Sequence, residues 1–257
     1  MERITSKTNP LCTHFRKLAS SRAYREETGE FLCDSPKLLR EAELWGASVS
    51  AVFYTPGADV AGAPAGARLA EVTESVMKSV SPMETPQGVV FSCRSTGRRP
   101  PQRLIPDASG RQRYVLLDGV QDPGNVGTVL RTADAFGWTA FLLPGCADVN
   151  NPKTVRAAMG VHFRRVIYQT SLEEAVRLVR AAELPLYAAA LAEDTADLRT
   201  VDLTRCAVVI GSEGRGVSRE ALALCDRTIK IPMSKTCESL NAAAAAAVVL
   251  WEGARND

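Results

Sequence analysis

The chain has 257 residues, 46% of them hydrophobic and 23% charged, with a formal net charge of +2. These proportions suit an ordinary globular protein of one large or two small domains, and so small a charge does not by itself announce a nucleic-acid partner. Seven cysteines (Cys12, Cys33, Cys93, Cys146, Cys206, Cys225, Cys237) without Cys-x-x-Cys spacing exclude a disulfide framework or a zinc site. The first residues, Met1-Glu-Arg-Ile-Thr-Ser-Lys7, lack the apolar core of a secretory leader, and no apolar run reaches membrane-spanning length. The expectation is a cytoplasmic protein with no membrane partner and no metal.

In chain order, Pro10 to Ser20 reads as a helix, Glu30 to Cys33 as extended and Pro36 to Leu44 as a helix. Val49 to Tyr54 is extended, and Ala58 to Gly66, rich in Ala, Gly and Pro, is a loop. Leu69 to Val80 reads as one helix and Gln87 to Cys93 as a strand. Together these make a small α/β module.

Residues 94–113 then carry six arginines (Arg94, Arg98, Arg99, Arg103, Arg111, Arg113) against one acid, Asp107. Pro100, Pro101, Pro106, Gly97 and Gly110 mark the stretch as a linker. Its basic character leaves two readings open, a solvated tether or a set of phosphate contacts through Arg98, Arg99 and Arg103.

Beyond it, strand-like runs at Tyr114–Asp118, Ala140–Leu143, Phe163–Ile167, Leu186–Ala190, Ala207–Ile210 and Thr228–Ile231 alternate with helical segments. The helices are Val126–Phe136, Lys153–Met159, Leu172–Ala182, Arg219–Leu224 and Ser239–Trp251. This alternation implies an α/β fold with a mostly parallel sheet covered by helices on both faces.

Three of the strand ends lead into unusual loops: Asp122-Pro-Gly-Asn-Val-Gly-Thr-Val-Leu-Arg131, Ile210-Gly-Ser-Glu-Gly-Arg-Gly216 and Ile231-Pro-Met-Ser-Lys-Thr-Cys-Glu-Ser-Leu-Asn241. Strand C-termini are where open α/β sheets place ligands. The glycine loop is neither a phosphate-binding Gly-Lys-Ser/Thr loop nor the dinucleotide fingerprint, whose glycines are spaced differently and lie in the first βαβ unit. Hydrolase chemistry also fails, because the only histidines, His14 and His162, stand beside no obvious Ser or Cys nucleophile. Asn125 is placed to cap the helix it opens. Arg131, flanked by Val129, Leu130, Ala133 and Phe136, calls for an anionic partner, either a carboxylate of the protein or an RNA phosphate.

The three loops resemble the three motifs of the SpoU (TrmH-like) RNA ribose 2′-O-methyltransferases of the SPOUT superfamily. Asn125 and Arg131 match the first motif, Gly211 to Gly214 the second, and Ile231 to Met233 with Ser239 to Asn241 the third. More loosely, Ile4–Pro10, Gly29–Leu32, Leu38–Ala42 and Thr85–Val89 resemble the L30e-like substrate-binding domain that precedes the catalytic domain in many rRNA-modifying members. The resemblance implies an L30e-like RNA-substrate-binding domain over residues 1–96, a basic linker over 97–112 and an α/β-knot methyltransferase domain over 113–257. It also implies a deep trefoil knot holding S-adenosylmethionine, a homodimer, and transfer of a methyl group to a ribose 2′-hydroxyl of ribosomal RNA, 23S in particular. Arg131, Asn125 and Glu213 would be catalytic, with Gly211, Ile231, Met233, Leu240 and Asn241 on the cofactor. A tRNA ribose methyltransferase and a non-catalytic RNA-binding assembly factor stand as alternatives.

Overall fold

The computed structural model describes residues 2–95, 99–107, 109–192, 194–234, 236 and 239–257. They form two compact units: Met1–Thr96 with Asp148–Arg164, and Gly97–Ala147 with Arg165–Asp257.

The first unit is built on a five-stranded mixed sheet. In chain order it has β1 (Glu2–Ile4), α1 (Pro10–Ser20), α2 (Arg22–Thr28), β2 (Glu30–Asp34), α3 (Pro36–Leu44), β3 (Val49–Tyr54), β4 (Arg68–Val72), α4 (Glu74–Val80) and β5 (Val89–Arg94), with the strands arranged β1-β4-β3-β5-β2. Side chains alternate across the strands. Leu32, Phe53 and Val90 join Phe15 and Met77 in one core cluster, while Phe31, Val52 and Phe91 join Leu38 and Leu39 in a second.

Residues 69–80 are not one helix. Leu69–Val72 belongs to β4, which pairs in parallel with β1 on one side and β3 on the other, and Thr73 then caps α4 by accepting from Val76 N–H at 3.3 Å. Ala70 and Val72 are buried while Leu69 and Glu71 are half-exposed. That two-residue period is a strand's, hidden in the sequence by the helix that follows it directly.

The segment Asp148–Arg164, which lies inside the methyltransferase-like half of the sequence, packs with this first unit. Its Val155 and Phe163 enter the Phe31–Phe91 cluster. Asp148 accepts from the buried Arg25 guanidinium at 2.8 Å, and Arg156 lies 3.3 Å from Asp34. The strand expected over Phe163–Ile167 is consequently absent. Val161–Arg164 is helical, and Phe163 is drawn off to pack its ring 6.3 Å from Phe31.

The second unit carries a seven-stranded sheet with every pairing parallel. Its elements are β6 (Gln112–Asp118), α5 (Pro123–Ala135) and β7 (Thr139–Leu142), then, after the helices α6 (Pro152–Ala158) and α7 (Val161–Arg164) of the segment just described, β8 (Tyr168–Gln169), α8 (Leu172–Ala181), β9 (Leu186–Ala189), β10 (Ala196–Asp197), β11 (Arg205–Gly211), α9 (Arg219–Leu224), β12 (Arg227–Lys230) and α10 (Ala242–Ala254). The spatial order is β10-β12-β9-β11-β6-β7-β8. The chain runs outward from β6 through β7 to β8, then crosses to β9 on the other side, so the sheet has a topological switch point at β6. Leu116, Phe141, Leu186 and Val209 pack with Leu178 of α8 on one face. On the other, α5 and α10 pack together and α10 meets β11. Gly253 permits close approach here, since a Cβ at that position would lie 2.5 Å from the Trp138 ring.

The arginine-rich stretch divides by structure. Arg94 ends β5, whereas Gln112 and Arg113 begin β6. Arg113 is buried, donating to Gly253 O at 2.5 Å and to Asp257 at 2.7 Å. Between them, Leu104 is buried in the core of the second unit, and Tyr114 OH donates to Ile105 O at 3.3 Å. No helix among the described residues is long and apolar enough to cross a membrane.

Candidate active site

The loops after β6, β11 and β12 leave the same edge of the sheet, as parallel pairing requires. Asp118, the last residue of β6, ties two of them by accepting from Ser218 N–H at 2.7 Å. The residue that caps α5 is Asp122, not Asn125: Asp122 Oδ1 accepts from Asn125 N–H at 2.8 Å. Asn125 therefore sits at the third helical position, and its side chain is free for other work. It donates from Nδ2 to Glu213 Oε1 at 2.5 Å and accepts at Oδ1 from Asn241 Nδ2 at 3.1 Å.

Asn241 is the cap of α10. Its Oδ1 accepts from Ala243 and Ala244 N–H at 2.9 and 3.2 Å. Two backbone donors on that oxygen fix which end of the amide faces them, so Nδ2 must donate onward to Asn125, and Asn125 in turn to Glu213. Glu213 closes the series as an acceptor. One hydrogen-bond chain with a single direction thus joins all three sequence motifs.

The glycine loop is closed on itself, Ser212 and Gly216 exchanging backbone hydrogen bonds of 3.0 and 2.9 Å. Gly211 is compulsory there, because a Cβ would collide with the backbone of Gly216 and Val217. Beside this loop lies a pocket of about 360 Å³, at the lower end of small-molecule sites. Gly211, Glu213, Ile231, Met233 and Leu240 line it, four of them the expected cofactor residues. Asn241 does not line it, but its neighbours Leu240 and Ala242 do. The backbone groups of Ile231, Met233 and Leu240 make no hydrogen bond among the described residues. An apolar pocket edged by unengaged backbone donors and acceptors suits a ligand with a flat heterocyclic ring and a polar tail, so the residues present fit S-adenosylmethionine.

Arg131 is brought to none of this. It is exposed on α5, lines no part of the pocket and has no ion-pair partner among the described residues. The carboxylate partner considered from its apolar neighbours is absent among the described residues because Val129, Leu130 and Ala133 lie on the buried face of the helix and Arg131 on the other. Arg99 and Arg103 are likewise exposed without partners among the described residues, and Arg98 lies outside those residues. Sequence reasoning passed over Asp118, the tie between two loops, and Arg215, which lines the pocket from within the glycine motif.

Rival chemistries are poorly served. His162 is buried in the first unit with Nε2 at 2.7 Å from Val149 O, and His14 is held between Tyr24 and Glu30. Burial pushes the Cys146 thiol up to about 11, and it donates to Leu117 O at 3.1 Å instead of serving as a nucleophile.

Residues 112–251 match the SpoU rRNA Methylase family model, and residues 9–90 match the MRM3-like substrate binding domain. The chain belongs to the SpoU rRNA methylase family. It is 31% identical to the 23S rRNA (guanosine(2553)-2′-O)-methyltransferase RlmP of Bacillus subtilis, over 98% of each chain. Against a tRNA (guanosine(18)-2′-O)-methyltransferase of Thermus thermophilus it is 41% identical, over 55% of this chain and 73% of the relative. An AdoMet-bound rRNA methyltransferase from Sinorhizobium meliloti superposes with a TM-score of 0.86 at 32% identity, covering 99% of this chain and 98% of that one. The SpoU assignment covers the three joined loops, and the substrate-binding match covers most of the first unit's N-terminal segment.

Proposed function

We propose that this protein methylates a ribose 2′-hydroxyl of 23S rRNA, with S-adenosylmethionine in the pocket between the loops after β11 and β12. The observation that carries this reading is the directed chain Asn241–Asn125–Glu213 set beside that pocket. A scaffold that only bound RNA would have no use for such a chain. Ribosomal RNA is favoured over tRNA because the similarity to RlmP extends through the first unit, whereas that to the Thermus tRNA enzyme covers 55% of the chain.

The cofactor, when bound, supplies a methyl group on a sulfonium centre. The protein's own task is to position the attacking hydroxyl and ease loss of its proton. Glu213 Oε1 is occupied by Asn125, and Oε2 accepts from no described residue, leaving it to receive the ribose hydroxyl. Arg131 stays protonated, so its contribution is electrostatic: it holds RNA phosphate and favours the developing alkoxide. Backbone groups of Gly211, Ile231, Met233 and Leu240 hold the cofactor, within the trefoil knot expected of the fold. Arg98, Arg99 and Arg103 contact phosphates of the RNA.

The active form is a cytoplasmic homodimer. On the outer face of the α5–α10 pair, Trp251 is 51% exposed with its ring 5.4 Å from Phe136, and Val248 is exposed one turn away. A second copy over this face covers both and brings Arg131, exposed on α5, to a catalytic centre at the subunit boundary.

Transfer of radiolabelled methyl from S-adenosylmethionine tests the reading, with unmodified 23S rRNA and a tRNA pool offered separately. Label in the 23S rRNA, resistant to alkaline cleavage at one ribose, is the expected result. Label in tRNA alone would replace it with the tRNA reading, and label in neither would leave a binding protein.

A further inference from the structure

Several arginines of the second unit are engaged by carboxylates. Arg113 and Arg111 meet Asp257, Arg165 meets Asp134, Arg177 meets Glu174, Arg180 meets Asp226 and Arg199 meets Asp197. Among the described residues Arg215 is not so engaged, as Arg99, Arg103 and Arg131 are not, and unlike them it lies at the pocket. It is exposed, lines the pocket, and its side chain has no hydrogen bond or ion pair among the described residues. Its backbone is nevertheless fixed, because the Ser212–Gly216 pairing closes the loop beneath it and Arg215 N–H donates to Ser212 Oγ at 3.4 Å.

The charges at the pocket sharpen the point. Among the described residues, Glu213, Arg215 and Lys230 are its charged lining. Lys230 is in register with Asp197 on the neighbouring strand, whose carboxyl is held down first by its hydrogen bonds with Arg199 and only lastly by the charge of Lys230. Glu213 is bound by the neutral amide of Asn125, so its negative charge is not cancelled. An anion approaching this mouth therefore needs a cation there, and Arg215 offers one that no carboxylate engages among the described residues.

The chemistry of the substrate says which anion arrives. In RNA the 3′-phosphate is carried on the ribose carbon adjacent to the one bearing the 2′-hydroxyl. Bringing that hydroxyl to within roughly 3–3.5 Å of a reactive methyl group at the pocket brings a phosphate to the mouth with it. A planar guanidinium can grip two phosphate oxygens at once, which aligns the ribose as well as attracting it. Resting on the proposed methyl transfer to RNA, we propose that Arg215 receives the phosphate adjoining the target ribose and sets the position of the hydroxyl, a second anion contact distinct from that of Arg131.

The test compares full-length wild type with Arg215→Ala, Arg215→Lys and, as a charge-matched control remote from the pocket, Arg177→Ala. A 23S rRNA transcript is titrated at several salt concentrations, S-adenosylmethionine is titrated by calorimetry, and single-turnover methylation is followed. Expected for Arg215→Ala are unchanged cofactor affinity, RNA binding weaker by about tenfold, and a slope of log affinity against log salt shallower by about 0.7, the value for one single-strand phosphate contact. Arg215→Lys should restore the slope but not the turnover rate, since a point charge attracts the phosphate without aligning it. A slope equal to wild type in Arg215→Ala, or a slope change matched by Arg177→Ala, overturns the inference. So does a loss confined to cofactor affinity, which would assign Arg215 to the cofactor's carboxylate. A wild-type protein that binds neither S-adenosylmethionine nor the transcript overturns the methyltransferase reading and this inference together.

Discussion

Asn241 and Asn125, 116 residues apart in the chain, share a hydrogen bond of 3.1 Å in which Asn241 donates and Asn125 accepts. Its direction is set from the far end, where Asn241 Oδ1 takes two backbone N–H groups of α10. The helix terminus thereby decides how the Asn125 amide is turned and which group meets Glu213.

Capping and relaying can be separated at Asn241. Asn241→Asp keeps an oxygen for the α10 amides but has no N–H to give Asn125, so its melting temperature should stay near wild type while methylation falls at least about tenfold. Asn241→Ala loses both functions and should cost about 1 kcal/mol of stability besides. Thermal melts and single-turnover rates on the same preparations check this; full activity in Asn241→Asp would show that the relay has no catalytic use.

Arg131 is exposed and unpaired among the described residues, so Arg131→Ala should change stability by less than about 0.5 kcal/mol. Cofactor affinity should be retained while single-turnover methylation drops by orders of magnitude. Lysine should restore only part of it. A stable Arg131→Ala variant with near-wild-type turnover would remove Arg131 from the chemistry.

Arg113 is wholly buried and depends on Asp257 for its charge partner, the Arg113 guanidinium holding the Asp257 carboxyl below its usual range. Asp257→Asn should destabilise the protein by about 1–2 kcal/mol, because a buried guanidinium is left with neutral acceptors. Chemical denaturation with both variants, Asp257→Asn and Arg113→Met, checks the pair; Arg113→Met should be milder than its burial suggests, since it removes the charge along with the partner's purpose.

Acid sensitivity should arise partly at Glu30. The hydrogen bond from His14 holds its carboxyl below the ordinary value of 4.5, helped by Ser50 and opposed by burial. A carboxyl depressed in the folded state contributes stability above its unfolded value and loses it as pH falls through the folded one. Glu30→Gln should therefore be less stable than wild type at neutral pH and lose less on going from about pH 5 to about pH 3. Parallel pH–stability curves for the two proteins would contradict this.

The parallel strands, the glycine loop and the three motif segments were legible because each is local: an apolar run, a turn residue, a capping side chain. Leu69–Val72 was not, since a four-residue strand running straight into a helix offers too short a pattern to separate. Arg113 read as part of a basic linker because nothing near it in sequence reveals Asp257, 144 residues away. The departure of Asp148–Arg164 into the first unit depends on Phe31 and Phe91 accepting Phe163, a choice made by distant packing. Asn125 was found for its motif but given the wrong local task, Asp122 being the better cap three residues earlier.

The central claim, ribose methylation of 23S rRNA, is tested most directly by mapping 2′-O-methyl groups across the rRNA and tRNA of cells with and without this gene. The expected result is the loss of one 23S ribose methylation in its absence, regained with the wild-type gene and not with Arg131→Ala. Identical rRNA maps, with or without a change in tRNA, would contradict the assignment.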